Sequence, residues 1–281
     1  MPTRPTPLIG GLRFPEGPRW HEGALWFSDM HACRVIRTDL EGNWETVVEV
    51  PNQPSGLGFL PDGRLLLVSM LDRRLLRLDG DQLTEVANLM DVTSFHINDM
   101  LVDAEGRAYV GNFGFDLLGG AEPSDAELVM LSPGGEPKVV AEELGFPNGT
   151  VITPDGRTLI IGESFAFRLT AFDVAADGSL SNRRVWAELG EGVVPDGCCL
   201  DAEGAIWVAT PGQSAVIRVR EGGEVTHRVP VETEAFACTL GGPERRTLLV
   251  CTAPTHEPEK SHNLLGRIEM LEVDVPGAGL P

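Results

Sequence analysis

Phe146-Pro-Asn-Gly-Thr-Val-Ile-Thr-Pro-Asp-Gly-Arg-Thr-Leu-Ile-Ile-Gly-Glu-Ser164 holds the pattern on which the chain is built. A polar residue followed by Gly opens it, an apolar run follows, and a tight turn sits at Pro154-Asp-Gly-Arg157. A second β-rich run then closes on Gly162-Glu-Ser164. Two strands joined by an Asp-Gly turn account for this order, because Gly supplies the positive φ such turns require.

The turn recurs as His21-Glu-Gly23, Pro61-Asp-Gly63, Ala104-Glu-Gly106 and Ala202-Glu-Gly204, with a degraded sixth copy at Gly241-Gly-Pro-Glu-Arg245. Strand-like runs follow each turn, among them Ala24-Leu-Trp-Phe-Ser28, Ala205-Ile-Trp-Val-Ala209 and Thr247-Leu-Leu-Val-Cys251. The five clear turn glycines lie 40, 43, 50 and 48 residues apart. A period of about 40–50 residues with several strands in each unit marks propeller blades. Six copies predict an all-β, six-bladed β-propeller with four-stranded antiparallel blades. The run Leu8–Phe14 and the last strand-like run, Arg267–Val275, are candidates to close the ring in a blade shared by both termini. No linker or low-complexity segment interrupts residues 1–281, so one domain is expected.

Counting eight residues back from the turn glycine reaches Ser55, Asn98, Asn148 and Asp196; in the shorter first copy, seven back reaches Glu16. The innermost strands of a propeller line its axis, so equivalent positions converge there. Glu16, Asn98, Asn148 and Asp196 at one depth form an oxygen-rich ring suited to a hard divalent cation. Asn-Gly and Asp-Gly are also common turn dipeptides, and it is their coincidence at one repeat position that favours a shared site. The glycine after four of the five is expected to let the backbone run close to the channel.

Other residues enter on position. His96, two before Asn98, shares its face of a strand and is expected to reach substrate, a satisfied structural histidine being the alternative. Phe113 opens an aromatic, Gly-rich excursion to Pro123 that suits a loop at the channel mouth, a plain connection being the alternative. Glu163 ends the second strand of its blade and is counted on the substrate side, against solvent exposure. His256-Glu-Pro-Glu-Lys-Ser-His262 matches no metal-ligand spacing and reads as an exposed loop.

Composition narrows the partners. A formal net charge of −20 argues against nucleic acid and disfavours anionic substrates. No run reaches the length of a membrane-spanning helix, and the N-terminus lacks the apolar stretch of a signal peptide, so a cytoplasmic location is expected. The five cysteines are odd in number and mostly sit in strand-like runs, as buried thiols would. Serine-hydrolase elbows, zincin motifs and nucleotide loops are lacking.

With these residues assembled, the chain resembles the senescence marker protein / gluconolactonase / luciferin-regenerating enzyme family of six-bladed propellers. The resemblance is carried by Phe14-Pro-Glu-Gly-Pro-Arg-Trp20, Pro54-Ser-Gly-Leu-Gly-Phe-Leu-Pro-Asp-Gly-Arg64, Asn98-Asp99, Asp103-Ala-Glu-Gly-Arg107, Pro147-Asn-Gly149 and Pro195-Asp-Gly197. It implies metal ligands at Glu16, Asn148 and Asp196, with Asn98 a fourth ligand or substrate contact. It further implies metal-dependent lactone hydrolysis, with Ca²⁺ the usual ion and Zn²⁺, Mn²⁺ or Fe²⁺ as alternatives. For such a reaction Asp196 is expected to act as general base and Asn98 to stabilise the oxyanion. His96 stands where sugar-lactone members carry arginine; with the apolar Phe113 stretch, this points to a lactone less polar than gluconolactone. A metal-dependent phosphotriesterase or arylesterase is the second reading, and a non-catalytic propeller with a structural ion the third.

Overall fold

A computed structural model describes residues 4–279. Six four-stranded antiparallel sheets succeed one another as the blades of a six-bladed propeller. The innermost strands of blades 1 to 6 are Pro15–His21, Pro54–Phe59, Ile97–Val102, Pro147–Ile152, Cys198–Leu200 and Glu234–Gly241. In blades 1 to 5 the strands run from the axis outward in chain order. Blade 6 takes its outer strand, Thr6–Leu12, from the N-terminus, paired antiparallel with Gly266–Glu272. This is the shared closure expected from the two terminal runs, and it ties the first blade to the last.

The turns follow the sequence chemistry. At Thr153–Arg157 the Gly156 N–H donates to the Thr153 carbonyl at 2.8 Å, with Gly156 at φ +69°. Asp155 Oδ1 accepts the Arg157 N–H at 3.1 Å. Gly is needed at the left-handed position and Asp is needed to hold the turn. In blades 3 and 5 the turn aspartates, Asp103 and Asp201, are buried and paired with Arg107 and Arg218, each at 2.6 Å.

Burial explains why blades adhere. Apolar side chains form six clusters, one between each pair of neighbouring blades. Leu57, Leu65 and Leu67 of blade 2 meet Val35 and Val50 of blade 1, for example. Both faces of every blade are therefore covered, which accounts for strands that read as continuous apolar runs.

The glycines beside the axial residues act in the same packing. A Cβ on Gly17 would collide with the Ser55 carbonyl, on Gly56 with the Met100 nitrogen, on Gly149 with the Asp196 carbonyl, and on Gly197 with Ala237. Each glycine thus seats its innermost strand against that of the next blade. The expectation that they clear the channel is corrected: they clear the neighbouring strand.

Candidate active site

The axial residues follow from this packing. Since each glycine abuts the next blade's equivalent position, Glu16, Ser55, Asn98, Asn148 and Asp196 form a series, and Phe236 is its member from blade 6. The side chains of Ser55, Asn98 and Asn148 link in a chain of hydrogen bonds. Ser55 Oγ donates to Asn98 Oδ1 at 2.9 Å, and Asn98 Nδ2 donates to Asn148 Oδ1 at 3.2 Å. Asn148 Nδ2 donates to Ser164 Oγ at 3.2 Å, and Ser164 Oγ donates to the Pro195 carbonyl at 2.7 Å. The amides are thereby fixed in orientation, and Asn148 Oδ1 keeps a second lone pair.

Glu16, Asn98, Asn148 and Asp196 all face one cavity of about 450 Å³. Burial, and then the charge of Asp196, pushes Glu16 well above the ordinary carboxylate range. Burial, and then Asp99, pushes Asp196 up to about 8. Two half-buried carboxylates therefore share one cavity, and among the described residues no Lys or Arg lines it. The nearby Arg19 is committed: its Nη2 lies 3.2 Å from Asp99 Oδ1 and also donates to the Met100 carbonyl. This Arg19–Asp99 pair crosses from blade 1 to blade 3, and Asp99 occupies the place where four other blades carry glycine.

That donor set fits a hard divalent cation: two carboxylates needing positive charge and two amide oxygens. Among the described residues no three His, Cys, Asp or Glu side chains group as a metal set, so the amides are integral to any such site.

Aromatic side chains build the cavity walls. Phe113 stacks on Phe146 with ring centroids 4.7 Å apart, and Phe165 adjoins Phe146 at 5.5 Å. Phe14 meets Phe236 edge-on at 4.7 Å and stacks on His31. Met30, Met70, Leu117 and Leu118 also line the cavity. The Phe113–Pro123 excursion does reach the mouth. His31 is buried, its Nδ1 has no hydrogen-bond partner, and burial followed by the charge of Arg13 pushes it down to about 4.

Two expected positions are corrected. Glu163 is wholly buried and off the cavity wall, neither substrate-facing nor exposed. It pairs with Arg168 at 2.9 Å and Arg183 at 3.3 Å, and accepts from Thr170 Oγ1 and the Gly145 N–H. Burial opposes its charge, but the hydrogen bonds from Arg168, Thr170 and Gly145 win and lower it. Glu163 ends its strand turned toward these partners, and Ser164, the first residue of the following turn, faces the cavity. His96 lies behind the wall, against Phe95 at 4.2 Å and at the edge of Phe113, and does not line the cavity. The same-face argument fails because a register shift between Ile97 and Met100 breaks the two-residue alternation around Asn98.

Sequence reasoning also missed residues. Phe14 and Phe146 immediately precede the Pro-Glu-Gly and Pro-Asn-Gly signatures, so the repeat position could have flagged them. His256 lines the cavity although its segment reads as an exposed loop. No local signal marks His31, Phe236 or His256.

The SMP-30/gluconolactonase/LRE-like region family model matches residues 14–254. The chain belongs to this family. Pentonolactonase XacC of Haloferax volcanii is 32% identical over 251 residues, covering 86% of this chain and 82% of that protein. The gluconolactonase XC5397 of Xanthomonas campestris superposes with a TM-score of 0.79 at 24% identity, covering 96% and 89% of the two chains. Regucalcin of Agrobacterium tumefaciens, a calcium-binding protein, superposes with a TM-score of 0.80 at 23% identity, covering 98% and 94%. These two structural likenesses concern the fold. No helix among the described residues is long and apolar enough to cross a membrane.

Proposed function

We propose that the protein hydrolyses lactones, with a divalent cation held by Glu16, Asn148, Asp196 and Asn98. The observation that carries this reading is the pair of half-buried carboxylates, raised by their surroundings, converging with two oriented amides at an open cavity. Relatives named as lactonases support the reaction class, and the all-oxygen donor set with a calcium-binding structural relative supports Ca²⁺ first. A bound cation supplies Lewis-acid polarisation of the carbonyl and acidification of water.

The chain's own groups do the rest. Asp196 takes a proton from the attacking water as general base. Asn98 has one amide N–H engaged by Asn148, leaving the other to donate to the developing oxyanion. The new C–O bond forms from water, the ring ester C–O bond breaks, and the abstracted proton ends on the departing ring oxygen. The product is the open hydroxy acid.

Protein stripped with EDTA and restored with calcium should regain turnover on a lactone panel. Asp196→Asn should abolish turnover and Asn148→Ala should weaken calcium binding; full activity in the first, or unchanged binding in the second, ends the assignment. The aromatic walls favour one further reading, hydrolysis of aryl esters or phosphotriesters at the same groups, and such esters belong in the panel.

A further inference from the structure

From the cavity beyond the carboxylates we infer a substrate class: an uncharged lactone bearing an apolar substituent, not a polyhydroxylated or anionic one. The inference rests on the lactonase reading for the reacting end alone. Three features of the walls carry the remainder.

Apolar rings come from opposite sides of the propeller. Blades 3 and 4 contribute Phe113 and Phe146, stacked at 4.7 Å and 29°. Phe115 braces the group edge-on, 5.3 Å from Phe165 and itself buried. Blades 1 and 6 contribute Phe14 and Phe236. A substituent leaving the lactone ring at the carboxylate end is thus flanked by hydrocarbon on both sides.

Charge is one-signed. Glu16, Asp196 and Glu234 line the cavity and, among the described residues, no Lys or Arg does, in a chain of net charge −20. A phosphate or carboxylate on the substrate would meet three carboxylates there and no guanidinium or ammonium group.

Part of the polar capacity is already used, although His31, Gln53, Thr255 and His256 also line the cavity. Ser164 is taken by Asn148 and the Pro195 carbonyl; Glu234 accepts from the Gly212 and Ser214 N–H groups and from Ser214 Oγ. Hydroxyls of a sugar lactone that fall against the Phe14, Phe113, Phe146 and Phe236 rings would be left unpaired. At the mouth, Leu118 is 56% and Phe165 43% exposed. These are apolar surfaces that a bound hydrocarbon chain would cover.

The test uses calcium-restored protein and γ-lactones carrying methyl, propyl and pentyl substituents, beside glucono-1,5-lactone, followed by proton release. kcat/KM is expected to rise about two- to fourfold per methylene, as burial of each CH₂ dictates, and to exceed that for the sugar lactone. The double variant Leu118→Ser/Phe165→Ser, altered only at exposed positions, should cut the pentyl-to-methyl ratio about three- to tenfold. A flat chain-length series, or preference for the sugar lactone, overturns the substrate class while leaving hydrolysis intact. If no lactone is turned over, hydrolysis fails and calorimetry with non-hydrolysable lactams decides the pocket separately. Tighter binding of 5-pentyl-2-pyrrolidinone than of 2-pyrrolidinone supports the apolar pocket, and equal or absent binding overturns it.

Discussion

Replacing Asp196 by Asn in metal-free protein should stabilise the fold near neutral pH, although it removes the group proposed as base. An unfolded Asp titrates at its ordinary value of 3.8, and burial followed by the charge of Asp99 pushes folded Asp196 up to about 8. Between those pH values the folded state holds more protons than the unfolded state. Stability is therefore full below 3.8, falls as pH rises through the window, and levels off above about 8. At 1.36 kcal/mol per pH unit, about 4 kcal/mol is lost by pH 7. That is an upper bound, since the carboxylate borders a cavity open to water. For a chain of this size it corresponds to a Tm fall of order 10 °C. Glu16 is raised in the same sense, so Asp196→Asn should leave a shallower slope rather than none.

Thermal melts in EDTA from about pH 5 to about pH 8 read this directly. Wild type should lose Tm with rising pH, Asp196→Asn should lose much less, and calcium should restore wild type alone. A wild-type Tm that is flat or rising across this range, with Asp196→Asn indistinguishable from it, would refute the claim that the surroundings raise these carboxylates without compensating their charge.

Three other substitutions probe the surroundings. Arg19→Met leaves Asp99 buried without its partner and should cost about 3–5 kcal/mol in chemical denaturation; a loss below about 1 kcal/mol would show Asp99 to be solvated. Gly149→Ala drives a methyl into the Asp196 carbonyl and should lower Tm and weaken calcium binding together, whereas wild-type values for both would deny the close approach of blades 4 and 5. His31, pushed down to about 4 by burial and the charge of Arg13, gives stability that is full above 6.5 and is lost as pH falls toward 4. His31→Gln should therefore flatten the acid limb of the stability curve, and an unchanged acid limb would place His31 in water.

The propeller was legible because its turns are local chemistry. An Asp-Gly or Glu-Gly pair at a steady interval needs no distant partner to be recognised. The axial residues were legible for a related reason: a repeat unit carries equivalent positions to equivalent places, so Glu16, Asn98, Asn148 and Asp196 fall at one depth by counting alone. Blade 6 escaped that count because its turn, Gly241–Arg245, is degraded, and Phe236 went unseen with it.

What the chain order alone determined, then, is the number of blades and which oxygen-bearing side chains meet at the axis. Tertiary structure decided what surrounds them. Glu163 looks available in sequence, yet Arg168 and Arg183 claim it from the next two strands outward in its blade; the cavity walls come from residues far apart in the chain, as Phe14, His31 and Phe236 are. Repetition fixes where a strand points, while packing between blades fixes which charges are neutralised and which are left facing the cavity. Only the second kind of information depends on neighbours that the sequence does not place side by side.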